Sequence, residues 1–288
     1  MDDESGAATA NRRMGWLAPR PSPRRIDPLE PMAYRFSIRQ SLMAGARFIP
    51  QAWRGASDAL GLTILAAIAF HYFSQQARSD VALARPSLLA LVVLGVVTQG
   101  ALYRLALGLD GAGPGGLQWR WSETRLMATS ALSLVFLCIV GSLITVACLS
   151  LAYGVASAGS GFVASDPRSW PGAVHGAGRL AAGLGALLGV ALMLWVLARV
   201  ALASAATMAR RKIQVLSIWP LTRNVAWRVA GSMVLVFGAA TAVSYLIGRT
   251  LAAWPQNLAL ALLWQGLWLP MHVGLMSSLY ASLSQPET

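Results

Sequence analysis

Lysine, cysteine and acidic residues are scarce in this sequence, and each shortage narrows the possible classes of protein. Lys212 is the only lysine among 288 residues, and 23 basic residues stand against 11 acidic ones. The two cysteines, Cys138 and Cys148, would lie roughly 15 Å apart on one helix, which is too far for a disulfide bond between them. We therefore expect two small buried side chains and no disulfide framework.

Charge is also scarce, whereas long apolar runs are abundant. Charged residues make up 12% of the chain, hydrophobic residues 56%, and the mean hydropathy is +0.56. A soluble domain of this size would carry more charge on its surface. Six runs reach the roughly 20 residues that a helix needs to cross a bilayer. They lie near residues 56–74, 86–107, 126–153, 178–207, 229–252 and 257–283.

These runs predict an all-α polytopic membrane protein, with a bundle of six transmembrane helices in residues 32–288. Residues 1–31 are polar, rich in Pro and Arg, and lack the apolar core of a cleavable signal peptide. This composition predicts a disordered basic cytoplasmic tail.

Basic residues are divided unevenly between the two sides of the predicted bundle. One side carries Arg12, Arg13, Arg20, Arg24, Arg25, Arg35, Arg39, Arg47, Arg54, Arg104, Arg120, Arg125, Arg210, Arg211, Lys212, Arg223 and Arg228. The other side carries Arg78, Arg85, Arg168, Arg179 and Arg249. The positive-inside rule therefore predicts that both termini are cytoplasmic. We interpret the net charge of +12 as a signal for the orientation of the protein in the membrane, and a nucleic-acid partner is not expected.

Two basic amphipathic segments, residues 36–54 and 210–228, are expected at the inner leaflet. In the first, an apolar stripe with helical spacing consists of Ile38, Leu42, Ile49 and Trp53. In the second, Pro220 is expected to separate two short pieces. The candidate contacts with anionic lipid are Arg35, Arg39, Arg47, Arg210, Arg211 and Lys212. The alternative is that both segments only connect and pack against the membrane helices, without specific recognition of lipid headgroups.

Short motifs resemble a known group of membrane proteins. The segments QAWRGASDAL at 51–60 and NVAWRVAGSM at 224–233 share an "AWR", and the hairpins that follow them end in ALYRLAL and SSLYASL. This arrangement resembles bacterial six-helix inner-membrane proteins related to the membrane domain of glycerophosphodiester phosphodiesterases. The chain has no room for the soluble phosphodiesterase domain, so the resemblance implies a module of the bacterial inner membrane without its own catalytic domain.

His272 is the main candidate for an intramembrane polar site, because it lies in the middle of the sixth run. Pro270, two positions earlier, should kink the helix and free a carbonyl group. One interpretation is a functional site near the bilayer midplane. The other is a neutral side chain that is hydrogen-bonded to a backbone carbonyl, to Gln265 or to Gln99.

The fourth run contains an arginine, Arg199, and a pair of glycines, and each allows two interpretations. Arg199 either extends to the inner headgroups or forms a buried pair with Asp58, near the start of the first span. Gly185 and Gly189 form a GxxxG motif, which would serve helix packing within the bundle or a homo-oligomer.

Sites for catalysis, metal or cofactor are not expected. His71, His175 and His272 are the only histidines, and no HExxH motif occurs. The predicted spans contain no paired carboxylates. The sequence therefore favours a non-catalytic scaffold or accessory module for lipid or protein partners. The alternative is a transporter or permease component for lipid or a small molecule, with a polar site at the midplane. An intramembrane enzyme is the remote alternative.

Overall fold

The computed structural model describes residues 38–76, 81–109, 113–159 and 161–284. The predicted tail, residues 1–31, and Arg35 lie outside these residues. Within the described ranges the regular structure is helical, with no strand. The α-helices are α1 Ile38–Gly55, α2 Ser57–Gln76, α3 Val81–Ala106, α4 Trp121–Ser157, α5 Trp170–Ala173, α6 Ala177–Val200, α7 Ala203–Arg210, α8 Ala226–Thr250, α9 Ala253–Ala261 and α10 Leu269–Ser284. A π-helix, Leu262–Trp268, joins α9 to α10.

Six stretches of the described chain are long and apolar enough to cross a membrane. They are Ser57–Gln75, Arg85–Ala106, Pro114–Ser157, Ala177–Arg210, Ala226–Thr250 and Trp254–Ser284. Each overlaps one of the six runs predicted from the sequence. The prediction of a helical membrane protein with six spanning segments is therefore confirmed at this level.

The segment between the fourth and fifth spans differs from its predicted form. Pro220 was expected to separate residues 210–228 into two short pieces, but a short 3₁₀-helix, Leu216–Thr222, occupies the middle, and α8 begins at Ala226. Pro220 lies inside this 3₁₀-helix, where it has no N–H to donate to an α-helical ladder. The segment is thus a packed turn between two spans.

The sixth span changes its helical geometry just before Pro270. In an α-helix, the carbonyl of Gly266 would accept a hydrogen bond from the N–H of residue 270, which proline lacks. The π-helix Leu262–Trp268 accommodates this change. The side chain of Trp53 donates from Nε1 to the Gly266 oxygen at 2.9 Å. The sequence predicted that Pro270 leaves one backbone carbonyl without its helical hydrogen bond. In the structure, Trp53 of α1 donates a hydrogen bond to this carbonyl.

Helix α1 packs lengthwise against α10, and not only against lipid. The stripe that it buries is Ser41, Gly45, Phe48 and Ala52. The predicted stripe lies beside it: Leu42 and Ile49 line an apolar groove of about 410 Å³ with α8 and α10. Gly45 and Gly274 permit the close approach, because a Cβ on Gly274 would lie 2.7 Å from the Cβ of Phe48. Packing against small residues therefore determined the buried face of α1.

Several fully buried side chains lie where α3, α4, α7 and α10 meet. They include Tyr103, Leu126, Leu202 and Met276. This is the end of the bundle where α3, α7 and α10 finish and α4 begins. The same end holds the most highly charged part of the described chain.

Candidate functional site

A buried ion pair joins α3 to α4. Arg104, in the last turn of α3, donates from Nη1 to Oε1 of Glu123 in the first turn of α4. Both side chains are almost fully enclosed, with 3% and 0% of their surface exposed. A carboxylate and a guanidinium can both remain charged in such a place only if they compensate each other. The pair therefore fixes the relative position of the two helices.

Glu123 also organises the start of α4. Its Oε2 accepts hydrogen bonds from the backbone N–H of Arg120 at 2.8 Å and from the hydroxyl of Ser122 at 2.9 Å. An acidic residue in the first helical turn interacts favourably with the helix dipole. Gly100 on α3 leaves the space for this carboxylate, because a Cβ there would lie 2.9 Å from the Glu123 Cγ. Glu123 is therefore held from three directions.

Arginine side chains surround a cavity of about 390 Å³ beside this pair, which we call the arginine pocket. Of the residues that line it in the described part of the chain, four are arginines. The pocket is lined by Arg104, Leu109, Arg120, Trp121, Ser122, Arg125, Met208 and Arg211. Residues from α3, α4, α7 and the turn that follows α7 thus lie around one cavity.

Arg211 reaches the pocket from an unusual backbone conformation. Its φ of 54° is the only positive φ among the described residues other than glycine. The residue ends α7 in the left-handed conformation, a position where glycine is the common choice. Arg125 donates from Nη1 to the Arg211 carbonyl at 2.6 Å and so fixes this turn against α4.

The predicted lipid contacts fall mostly on exposed surface. Arg39 and Arg47 are exposed on α1, and Lys212 is exposed in the turn after α7. Arg210 donates from Nε to the hydroxyl of Tyr280 at 3.2 Å, which ties the end of α7 to α10. Arg211 belongs to the arginine pocket. These residues therefore have different roles in the fold, although the sequence groups them together.

The structure places the ring of His272 against an indole. Its centroid lies 4.9 Å from that of Trp268, and the two planes differ by 13°. Trp268 in turn contacts Phe237 and Trp264. Within the described part of the chain, no hydrogen bond joins His272 to Gln265 or Gln99. The predicted polar partners are not brought together, and the aromatic cluster takes their place.

Arg199 and Asp58 are likewise not brought together. Nη1 of Arg199 donates to the Trp219 carbonyl at 2.8 Å, and its guanidinium lies 4.8 Å from the centre of the Trp195 ring. Asp58 accepts a hydrogen bond from Ser57 and lies next to Gly115. Cation–π contact and a backbone carbonyl thus hold the guanidinium of Arg199, although its buried Nε has no hydrogen-bond acceptor among the described residues. The hypothesis of an Arg199–Asp58 pair does not agree with this geometry.

The glycine pair of the fourth span packs against α4 of the same chain. A Cβ on Gly189 would lie 2.8 Å from Sγ of Cys148 and 3.1 Å from Cγ2 of Ile144. Gly185 faces Leu151 and accepts a weak hydrogen bond from Cys148 at 3.7 Å. The GxxxG motif therefore serves the contact between α4 and α6.

Sequence reasoning missed Glu123 and with it the arginine pocket. A signal for Glu123 was available, because it is the only acidic residue between Asp110 and Asp166 and lies just before the third apolar run, residues 126–153. Arg104, Arg120 and Arg125 contributed only to the orientation argument, since their convergence depends on how three helices pack.

Among the side chains that the structure describes, no three of His, Cys, Asp or Glu are grouped as a metal ion would require. No protein-family model, curated protein or solved structure matches this chain. The site is therefore interpreted from its own geometry.

Proposed function

We propose that this chain is a non-catalytic integral membrane protein that acts as a scaffold or accessory module for lipid and protein partners. It belongs in this proposal to the inner membrane of a bacterium, with both termini in the cytoplasm. The expected resemblance to the membrane domain of glycerophosphodiester phosphodiesterases agrees with such a role, since that domain is a membrane module.

The unequal burial of the spans carries the proposal. Residues 130–155 of α4 and 177–195 of α6 include no buried residue, although these helices pack against each other. Their outer faces present large side chains, such as Leu143 and Leu187, each 66% exposed. A surface of this size needs lipid chains or partner helices to cover it. The α4–α6 hairpin is therefore the proposed partner surface.

The basic residues support an inner-leaflet position for one end of the bundle. Arg39, Arg210 and Lys212 are exposed, and the arginine pocket lies at the same end as Arg210. Arginine and lysine next to membrane helices favour the cytoplasmic side and attract anionic lipid. Binding of anionic lipid at this end would orient the protein in the membrane. The α4–α6 hairpin would bind a partner within the membrane.

Transport is a second candidate because the sixth span contains the π-helix Leu262–Trp268. Such interruptions of α-helical geometry are frequent at functional sites. His272 and Gln265 lie in or near this interruption. A transporter would show substrate-dependent stabilisation of the purified protein, whereas a scaffold would show association with a partner.

Photocrosslinking in living cells tests the scaffold proposal. A photoreactive residue replaces Leu143 or Leu187, and Leu65 on α2, which is 61% exposed, serves as the matched control. We expect one protein adduct of defined mass at both hairpin positions and its absence at Leu65. Lipid adducts alone at all three positions would contradict a partner surface on the α4–α6 hairpin.

A further inference from the structure

We propose that Arg199 and Arg223 together bind the phosphate group of a membrane phospholipid, at what we call the Arg199–Arg223 site. This inference deepens the contact with anionic lipid in the proposed function and rests on it, because it requires that this part of the protein meets lipid headgroups. It requires neither the α4–α6 hairpin nor a protein partner. Three features support it: the burial of Arg199, the unpaired edge of its guanidinium, and the position of Arg223.

Arg199 is a buried cation without a carboxylate partner. The residue lies in the last turn of α6 and is 6% exposed. Among the acidic residues that the structure describes, which are Asp58, Glu123 and Asp166, none forms an ion pair with it. A buried charge is costly unless another charge compensates it, and contacts with aromatic rings offset only part of this cost. A bound anion would supply the missing negative charge.

The guanidinium of Arg199 has one edge without hydrogen bonds. Its Nη1 makes both observed bonds, donating to the Trp219 carbonyl at 2.8 Å and to the Thr222 hydroxyl at 3.4 Å. The other edge consists of Nε and Nη2, and neither donates to a described residue. Nε is enclosed by its neighbours, whereas Nη2 is not among the enclosed atoms. Two donors on one edge of a planar guanidinium match two oxygens of a phosphate.

Arg223 brings a second positive charge to the same place. It follows directly after Thr222, whose hydroxyl contacts Arg199, and it lies close enough to repel the Arg199 guanidinium. The side chain of Arg223 is exposed and makes no hydrogen bond or ion pair with the described residues. A single anion between two guanidinium groups replaces their repulsion with attraction to both. Arg199 would hold the phosphate from the protein side, and Arg223 would close over it from the exposed side.

The surroundings of the Arg199–Arg223 site favour a lipid over a soluble anion. The ring centres of Trp195 and Trp219 lie 4.8 and 5.7 Å from the guanidinium carbon, and Phe136 of α4 packs edge-on against Trp219. Arg199 belongs to the stretch Ala177–Arg210, which is apolar enough to cross a membrane. Tryptophan favours the layer where headgroups meet acyl chains, and arginine near the end of a membrane helix extends to this layer. The phosphate would bind the arginines, and the acyl chains would lie beside the rings.

Thermal unfolding of the purified full chain in uncharged detergent tests the proposal. Short-chain phosphatidylglycerol is titrated, and diacylglycerol of the same chain length, which lacks the phosphate, is the comparison. The first variant is Arg199→Lys, which keeps the charge but removes the planar edge. The second is Arg223→Gln, which should fold as the wild type does because Arg223 is exposed. Arg228→Gln is the matched control, since it removes an exposed arginine nearby that does not act on Arg199.

Phosphatidylglycerol should raise the unfolding temperature of the wild type and of Arg228→Gln, because a ligand that binds only the folded state stabilises it. Arg199→Lys and Arg223→Gln should each weaken the apparent affinity roughly tenfold, the effect of losing a hydrogen bond between charged groups. Equal affinity in Arg223→Gln and Arg228→Gln would overturn the proposal, and so would equal stabilisation by diacylglycerol. If Arg199→Lys does not fold, the comparison of Arg223→Gln with Arg228→Gln decides alone.

Glycerol 3-phosphate identifies the source of the phosphate group, because it carries the phosphate without acyl chains. We expect the wild type to bind it at least roughly tenfold more weakly than phosphatidylglycerol, since no apolar surface is buried. Equal binding of the two compounds would contradict a lipid ligand.

Failure of this site and failure of the wider proposal give different results. If phosphatidylglycerol stabilises the wild type and all three variants equally, anionic lipid binds elsewhere and only the Arg199–Arg223 site is lost. If it stabilises none of them, the contact with anionic lipid in the proposed function is lost as well. The crosslinking at Leu143 and Leu187 reports on a protein partner and is independent of both results.

Discussion

The indole Nε1 of Trp53 donates a hydrogen bond to the carbonyl oxygen of Gly266 at 2.9 Å, and so joins α1 to the π-helix of the last span. Pro270, four residues after Gly266, has no N–H for this oxygen. The contact adds a hydrogen bond to the packing of α1 against the last membrane segment. It also links two sequence features, the "AWR" at 52–54 and Pro270, that lie more than 200 residues apart.

Replacing Trp53 with Phe should lower the free energy of unfolding by about 1 kcal/mol, because it removes one hydrogen bond to a partly buried carbonyl. Trp227→Phe is the matched control, since Trp227 occupies the second "AWR" but is 60% exposed. Unfolding in mixed detergent micelles measures both. Equal stability of the two variants would contradict a structural role for the Trp53–Gly266 bond.

Replacing Glu123 with Gln should destabilise the fold by about 3 kcal/mol, because it leaves the charge of Arg104 buried without its carboxylate. The exposed Asp166, changed to Asn, should alter stability by less than about 0.5 kcal/mol. The double variant Arg104→Met with Glu123→Leu should recover part of the loss, since no buried charge remains. A single Glu123→Gln variant as stable as Asp166→Asn would show that the ion pair does not hold α3 and α4 together.

Replacing His272 with Leu should change the free energy of unfolding by no more than about 1 kcal/mol, because the described contact of the imidazole is a ring stack that an apolar side chain partly replaces. Trp268→Leu should cost more, since Trp268 also contacts Phe237 and Trp264. Expression level and thermal unfolding provide the comparison. Severe destabilisation by His272→Leu would indicate a polar network around the imidazole.

The charge swap of Arg199→Asp with Asp58→Arg should not restore the stability that Arg199→Asp alone removes. Arg199 is held by Trp195, Trp219 and the Trp219 carbonyl, and an aspartate in its place cannot make these contacts. A double-mutant cycle in detergent measures the coupling between the two sites. Recovery in the double variant would support a direct pair and contradict the observed geometry.

The sequence predicted the helical class and the six membrane segments because each depends on local composition. Apolar runs long enough to cross a bilayer are visible in the sequence without tertiary information. A proline within such a run, here Pro270, predicts a change in helical geometry. The environments of Trp53 and Trp227 were not predictable in this way. The two residues share the same local motif, yet only Trp53 reaches a partner, which lies on the last span.

The arginine pocket could not be predicted because its parts come from separate helices. Arg104 ends α3, Arg120 and Arg125 flank the start of α4, and Arg211 follows α7. The contacts of Arg199 were not predictable for a related reason. Extension to the headgroups and a pair with Asp58 were the two alternatives, whereas the fold provided two indole rings and a carbonyl.

The orientation of the bundle is the most direct test of the account, because the proposed contact with anionic lipid depends on an arginine-rich end at the inner leaflet. Single cysteines at Ala164 and Asn224, both exposed and at opposite ends, are introduced after Cys138→Ala and Cys148→Ala. A membrane-impermeant thiol reagent is then applied to spheroplasts. We expect Ala164→Cys to react in intact spheroplasts and Asn224→Cys only after permeabilisation. The reverse pattern would contradict the cytoplasmic position of the arginine pocket.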